Sequence, residues 1–88
     1  MNKFWKNKKV LITGHTGFKG AWLTLILSKM GSEVHGVSLK EKKKSFFNTL
    51  DVNKYLRTNN YQNINDYIKL KKLILRIKPD FIFHLAAQ

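Results

Sequence analysis

Val10-Leu11-Ile12-Thr13-Gly14-His15-Thr16-Gly17-Phe18-Lys19-Gly20-Ala21-Trp22 decides the fold of this 88-residue chain. The β-branched run Val10 to Thr13 predicts a short buried strand. Three of the chain's five glycines then fall at 14, 17 and 20. Beyond them, apolar residues at 18, 21, 22, 25 and 26 predict a helix from Phe18 to Met30 with a wide buried face that includes Trp22. Gly31 is the expected left-handed C-terminal cap, and Val34-His35-Gly36-Val37 reads as a second strand. Strand, glycine turn, helix and strand at this short spacing predict two parallel strands joined by a right-handed crossover.

The turn has a chemistry of its own. Gly14 permits a tight exit from the strand. Gly17 lets the backbone approach a pyrophosphate without a Cβ clash, and Gly20 lets the helix pack against the strand. Free N–H groups and the positive end of the helix dipole then hold phosphate oxygens. No Gly-Lys-Ser/Thr closes the turn, which excludes a P-loop. His15 sits within the turn, where a side chain reaches a bound cofactor.

Further along, Glu41 to Lys44 is a charged, solvated connection. Phe46, Phe47, Leu50, Val52, Tyr55 and Leu56 suggest a short helix packing under the sheet, and a very short strand around Tyr61 and Ile64 follows. Asn65 or Asp66 caps a helix whose apolar positions are 67, 70, 73, 74 and 77, and Pro79 stops it. Phe81-Ile82-Phe83-His84-Leu85-Ala86-Ala87 is apolar throughout and predicts a fully buried strand, with Phe81 and Phe83 in the core and His84 a hydrogen-bonded core histidine. The expected architecture is α/β, a Rossmann-type parallel sheet with flanking helices, ordered 3-2-1-4.

Composition narrows the function. The chain is 43% hydrophobic and 12% aromatic, which excludes a disordered polymer. With no cysteine, thiolate zinc sites and cysteine nucleophiles are out, and the three histidines show no metal-ligand spacing. Seventeen Lys+Arg against five Asp+Glu give +12, which attracts polyanions. Fifteen of the seventeen are lysine, whereas bidentate base and phosphate recognition favours arginine. The longest apolar stretch, Ala21 to Leu27, is far below membrane-spanning length, and no signal-peptide core is present, so a cytoplasmic location without membrane attachment is expected.

The Gly-x-x-Gly-x-x-Gly turn, with the fourth-strand run Phe83-His84-Leu85-Ala86-Ala87-Gln88, resembles the extended branch of the short-chain dehydrogenase/reductase superfamily. Phe4-Trp5-Lys6, Thr13 to Trp22 with its Phe-Lys-Gly and tryptophan, Gly36-Val37-Ser38-Leu39 and His84 to Gln88 together resemble the CDP-glucose 4,6-dehydratase family. That resemblance implies an NAD-dependent lyase of polysaccharide biosynthesis that takes a hydride from sugar C4, eliminates water across C5 and C6, and returns the hydride to C6. It implies NAD, with NADP as the alternative, a nucleotide-sugar substrate (CDP-glucose) and a homo-oligomeric complete enzyme. The cofactor contacts it implies are Gly14, His15, Thr16, Gly17, Phe18, Lys19 and Gly20, Ser38 at the ribose, Asn63 and Ile64 at the adenine, and Ala86 and Ala87 alongside.

Departures from the family pattern accompany these matches. An NAD-selective strand often ends in Asp or Glu, but here Ser38 stands there, with Lys40 and Lys42 to Lys44 close behind. Asn63 replaces an aspartate, and Asn7 replaces a glycine before the first strand, with little effect expected. The family's catalytic Tyr-x-x-x-Lys pair lies beyond the fourth strand. Tyr67 and Lys71 fit the bare spacing, but they sit on the helix before it and are read as chance. Residues 1–88 are therefore expected to be the N-terminal part of an NAD(P)-binding Rossmann domain, inactive alone, with the catalytic and substrate-binding parts absent and no metal site. Another extended-branch enzyme such as a nucleotide-sugar epimerase is one alternative. A basic nucleic-acid-binding module is another, although no helix-turn-helix, zinc-finger or RNA-binding signature supports it.

Overall fold

Val10, Leu11 and Ile12 have no exposed surface, and that burial puts their strand at the centre of the sheet. The computed structural model describes residues 3–86. Their elements are β1 (Lys9–Thr13), α1 (Phe18–Lys29), β2 (Glu33–Ser38), α2 (Phe46–Thr49), a single 3-10 turn (Val52–Tyr55), β3 (Thr58–Tyr61), α3 (Tyr67–Ile77) and β4 (Phe81–His84). The strands form one sheet in the order β3-β2-β1-β4, every pair parallel. Leu11 pairs with His35 on one side and Ile82 on the other. The expected α/β fold and 3-2-1-4 order are both present.

Alternation along β1 divides the core. Val10, Ile12 and Val34 pack with Leu27 on the α1 face, while Leu11 and Val37 pack with Leu73 and Ile77 on the α3 face. Ala21, Phe47 and Val52 form a third cluster, which seats α2 and the 3-10 turn against α1. Gly31 does cap α1. At φ +88° it takes the left-handed conformation, its N–H donates to Ser28 O, and Ser32 N–H donates to Leu27 O. This is the Schellman arrangement. Asp66, one of the two proposed caps, accepts from Lys69 N–H at 3.2 Å, and α3 ends two residues before Pro79.

Several expectations need correcting. Trp22 is 45% exposed, not core, because the buried stripe of α1 is Gly20, Ala21, Thr24 and Leu27. It stacks instead on Phe46, ring centroids 5.2 Å apart. The last strand is short and only partly covered. Phe81 is 36% and Ile82 49% exposed, since β4 pairs with β1 alone among the described residues. Phe81 rests on the rings of Phe4 and Trp5, and Phe83 packs beneath β1. His84 is hydrogen-bonded, as expected, but exposed. β3 ends at Tyr61, leaving Ile64 in a loop, and Tyr67 at the head of α3 is 82% exposed. Asn7 takes φ +64°, the glycine-favoured region, so the replacement of glycine there does carry backbone strain. No helix among the described residues is long and apolar enough to cross a membrane.

Candidate dinucleotide site

The chain steps outward from β1 to β2 and β3, then returns to place β4 on the other side of β1. In open parallel sheets this reversal opens a crevice at the carboxyl ends of the strands. A cleft of about 400 Å³ lies there. Gly14, Thr16, Gly17, Ser38, Asn63, Ile64 and Ala86 line it, so seven of the residues singled out from sequence meet in one place. Leu39, Gln62, Asn65 and Leu85 complete the wall. Sequence reasoning did not assign these four to the site, although each adjoins a residue that it did.

The three glycines of the turn serve different purposes. Gly14 lies at φ +81°, and a Cβ on it would come within 2.7 Å of the Ala86 backbone. A Cβ on Gly20 would overlap the Gly14 carbonyl oxygen and lie 2.7 Å from His15 Cα. Both are glycine for reasons internal to the chain. Gly17 is not. Its φ of −75° and ψ of 168° suit any residue, and a Cβ there would meet only Gly14 O, at an ordinary 3.4 Å. Gly17 is also the N-cap of α1, whose first turn has neither a side-chain cap nor an acidic residue. The positive end of a twelve-residue helix therefore faces the cleft with no acidic side chain in its own first turn.

The other named residues are placed as follows. Thr16 donates to Leu39 O at 3.1 Å, so the Ser38 hydroxyl, 2.8 Å away, donates to Thr16. Asn63 Oδ1 accepts from Asn65 N–H at 2.9 Å, which shapes the loop that forms the far wall. Gln62 N–H donates to Ser38 O, while its Oε1 is buried without a partner. Phe18 is 62% exposed and lines an adjoining cleft with Leu39, Lys40, Glu41 and Lys42. Lys19 is exposed on the first turn and Gly20 is buried. Ala87 lies outside the described residues. Neither Tyr67 nor Lys71 lines the cleft.

His15 turns inward. It has no exposed surface, its ring meets Phe47 edge-on at 5.4 Å, and Nε2 lies 2.6 Å from Asn59 Oδ1. Burial lowers its pKa below the ordinary histidine value, against opposing effects of the Asn59 hydrogen bond, the Val37 carbonyl and Glu41. Asn59 Nδ2 donates to Tyr61 Oη at 3.0 Å, and the Tyr61 hydroxyl donates to Glu41 Oε1 at 2.5 Å. That last bond holds the Glu41 carboxyl below its usual range. Burial, with the same bond, raises the Tyr61 phenol.

Comparisons with known proteins agree with this geometry. The chain is 43% identical over 86 residues to the CDP-glucose 4,6-dehydratase of Salmonella typhimurium, covering 97% of this chain and 24% of that protein. It is 40% identical over 91 residues to GDP-mannose 4,6 dehydratase 2 of Arabidopsis thaliana, covering 92% and 24%. The chain thus spans about a quarter of the length of these curated relatives. Among solved structures it is similar to the Bordetella bronchiseptica enzyme WbmH in complex with NAD+, with a TM-score of 0.70 and 26% identity over 93% of this chain and 27% of that one. The UDP-glucose 4-epimerase of Thermotoga maritima, solved with UDP-glucose, gives a TM-score of 0.72 and 28% identity over 91% and 24%. Residues 11–88, which hold the glycine turn and every strand-end loop of the cleft, match the GDP-mannose 4,6 dehydratase family, and the chain belongs to that family.

Proposed function

We propose that these residues form the dinucleotide-binding part of an NAD-dependent nucleotide-sugar 4,6-dehydratase whose complete form acts on CDP-glucose. The observation that carries this reading is Gly17, a glycine the chain itself does not require, at a helix N-terminus that faces the cleft with no side-chain cap and no acidic residue in its first turn. A ligand whose phosphates sit there supplies the missing reason. The 43% identity to a CDP-glucose 4,6-dehydratase supports the substrate, and the NAD+ held by WbmH supports the cofactor over NADP.

The residues divide the work along the cleft. The first-turn N–H groups of α1 bind the pyrophosphate. Thr16 and Ser38, already fixed against each other, border the ribose, and Asn63 and Ile64 flank the adenine. Leu85 and Ala86 close the side next to β4. Bound NAD supplies the acceptor and later the donor of a hydride. The C4 hydroxyl proton is the task of a Tyr-x-x-x-Lys pair in the family pattern. Tyr67 and Lys71 stand away from the cleft, so these 88 residues alone turn over no CDP-glucose on this reading. A cytoplasmic homo-oligomer is the form we propose for the complete enzyme. The epimerase alternative draws on the similarity to the UDP-glucose 4-epimerase, and product analysis of the complete enzyme separates the two.

Calorimetric titration with NAD and NADP tests the site. Gly17→Ala should leave thermal stability nearly unchanged and weaken NAD, and Gly17→Val should abolish binding by filling the approach to the pyrophosphate. Unaltered NAD affinity in Gly17→Val rejects the site, and tighter binding of NADP than NAD rejects the cofactor assignment.

A further inference from the structure

The hydrogen bonds around His15 have fixed directions. Tyr61 donates its hydroxyl proton to Glu41, so its oxygen accepts from Asn59 Nδ2. Asn59 Nδ2 also donates to Asn53 Oδ1 at 2.7 Å. The Asn59 carboxamide is thereby oriented with Oδ1 toward His15, and the bond between them requires the proton on Nε2. Nδ1 is left with a bare lone pair, buried and without a well-formed hydrogen bond. The ring fills a space that Gly36 leaves open, since a Cβ on Gly36 would overlap His15 Cγ and lie 2.6 Å from Nδ1. Around the ring stand Asn59 from β3, Gly36 and the Val37 carbonyl from β2, Phe47 from α2 and Glu41 from the loop after β2. Glu41 is the charged group among them, and its carboxylate is engaged by Tyr61.

We propose that His15 is a positioning residue, holding the glycine turn in its dinucleotide-binding shape only while Nδ1 is unprotonated. This rests on the dinucleotide reading above. The imidazole ties the turn to β3 through Asn59, one residue before Thr16 and two before Gly17. A proton on Nδ1 places a cation in a dry pocket, and burial outweighs the help that the Glu41 carboxylate and the Val37 carbonyl give it, so the ring must leave or the turn must shift. Burial already disfavours that proton in the folded chain. Acidification therefore removes the competent turn.

The test uses the whole chain from pH 8 to 5, without ligand by ¹H–¹⁵N NMR and with NAD by calorimetry. The imidazole nitrogens should report the Nε2–H tautomer, and the Thr16 and Gly17 amides should titrate with the His15 ring at a midpoint below 6.5. NAD affinity should fall toward tenfold per pH unit below that midpoint, as the competent fraction falls. His15→Gln keeps an N–H for Asn59 but takes up no proton, so its turn amides and affinity should be flat over this range. Asn59→Asp sets a carboxylate beside Nε2 and should move the midpoint up by about one pH unit or more. An Nδ1–H tautomer, turn amides that ignore the His15 titration, an unmoved midpoint in Asn59→Asp, or the same acid loss in His15→Gln overturns the proposal. A wild-type chain that fails to bind NAD at pH 8 rejects the dinucleotide reading instead, and the ligand-free NMR arm still decides the role of His15.

Discussion

Replacing Gly36 with alanine adds one methyl group at the centre of β2, where it collides with the His15 ring. At 2.5 Å from Cδ2 and 2.6 Å from Nδ1, the methyl sits about 1 Å inside ordinary van der Waals contact. The ring has nowhere to go, since Phe47 lies against it and Asn59 holds its far edge. If the ring stays, the overpacking costs about 1–3 kcal/mol. If it is expelled, Asn59 Oδ1 loses its donor in a part-buried site, a loss of about 1–3 kcal/mol. The stiffer unfolded chain returns about 0.4–1 kcal/mol. The net loss centres on about 1.3 kcal/mol by either route, and each kcal/mol lowers Tm by about 4–8 °C in a domain of this size. Thermal and urea unfolding of Gly36→Ala, His15→Ala and the double variant complete a cycle. The double variant should be at least about 1 kcal/mol more stable than the sum of the single losses, because removing the ring makes room for the methyl. A Gly36→Ala chain as stable as wild type, or strictly additive losses, refutes this packing.

Two further outcomes follow from local geometry. Lys78 ends α3 in the left-handed region at φ +54°, so Lys78→Gly should raise stability by about 0.5–1 kcal/mol in urea unfolding. The pH dependence of stability should have two stages. His15 has a depressed pKa, so its contribution is complete above its unfolded value of 6.5 and declines as pH falls from there toward the folded value. Glu33, lowered chiefly by its hydrogen bond from His35, and Glu41, lowered chiefly by that from Tyr61, contribute above 4.5 and lose this as pH falls further. Urea midpoints measured from pH 7.5 to 3.5 should show the first decline in wild type and lack it in His15→Gln.

The parts of this fold legible in sequence were those governed by short-range rules. Val10 to Thr13, the glycine turn, the Gly31 cap and the Pro79 stop each depend on residues within a few positions, and each stands where the pattern puts it. Of the seven cleft residues, Gly14 and Gly17 were legible from the strand–turn–helix pattern, whereas Thr16, Ser38, Asn63, Ile64 and Ala86 were named through the family resemblance. What sequence did not give depends on neighbours far along the chain. The apolar run at Phe81 reads as buried, but exposure is set by whether a second strand and helices cover it, and β1 covers one side only. Trp22 looked like core because α1 is apolar nearly all round, and only the small residues Gly20, Ala21 and Thr24 can approach the sheet closely. The inward turn of His15 depends on an opening at Gly36 in the next strand and an acceptor at Asn59 in the third, neither of which the turn itself announces.

The same long-range ties explain how a glycine-rich turn can be stiff enough to serve as a binding site. Four consecutive residues are fastened to three different strands or their ends. Thr13 Oγ1 meets His84 Nδ1 at 2.7 Å, at the end of β4. Gly14 N–H donates to Val37 O in β2 at 2.9 Å. His15 reaches Asn59 in β3, and Thr16 bonds to Ser38 and Leu39 where β2 ends. Glycine confers backbone freedom that would otherwise be lost on binding, at a cost in affinity. Here that freedom is already removed by folding. What the ties leave open is the side of Gly17 and the first turn of α1, so the one part of the turn that the chain does not fill is the part offered to a ligand.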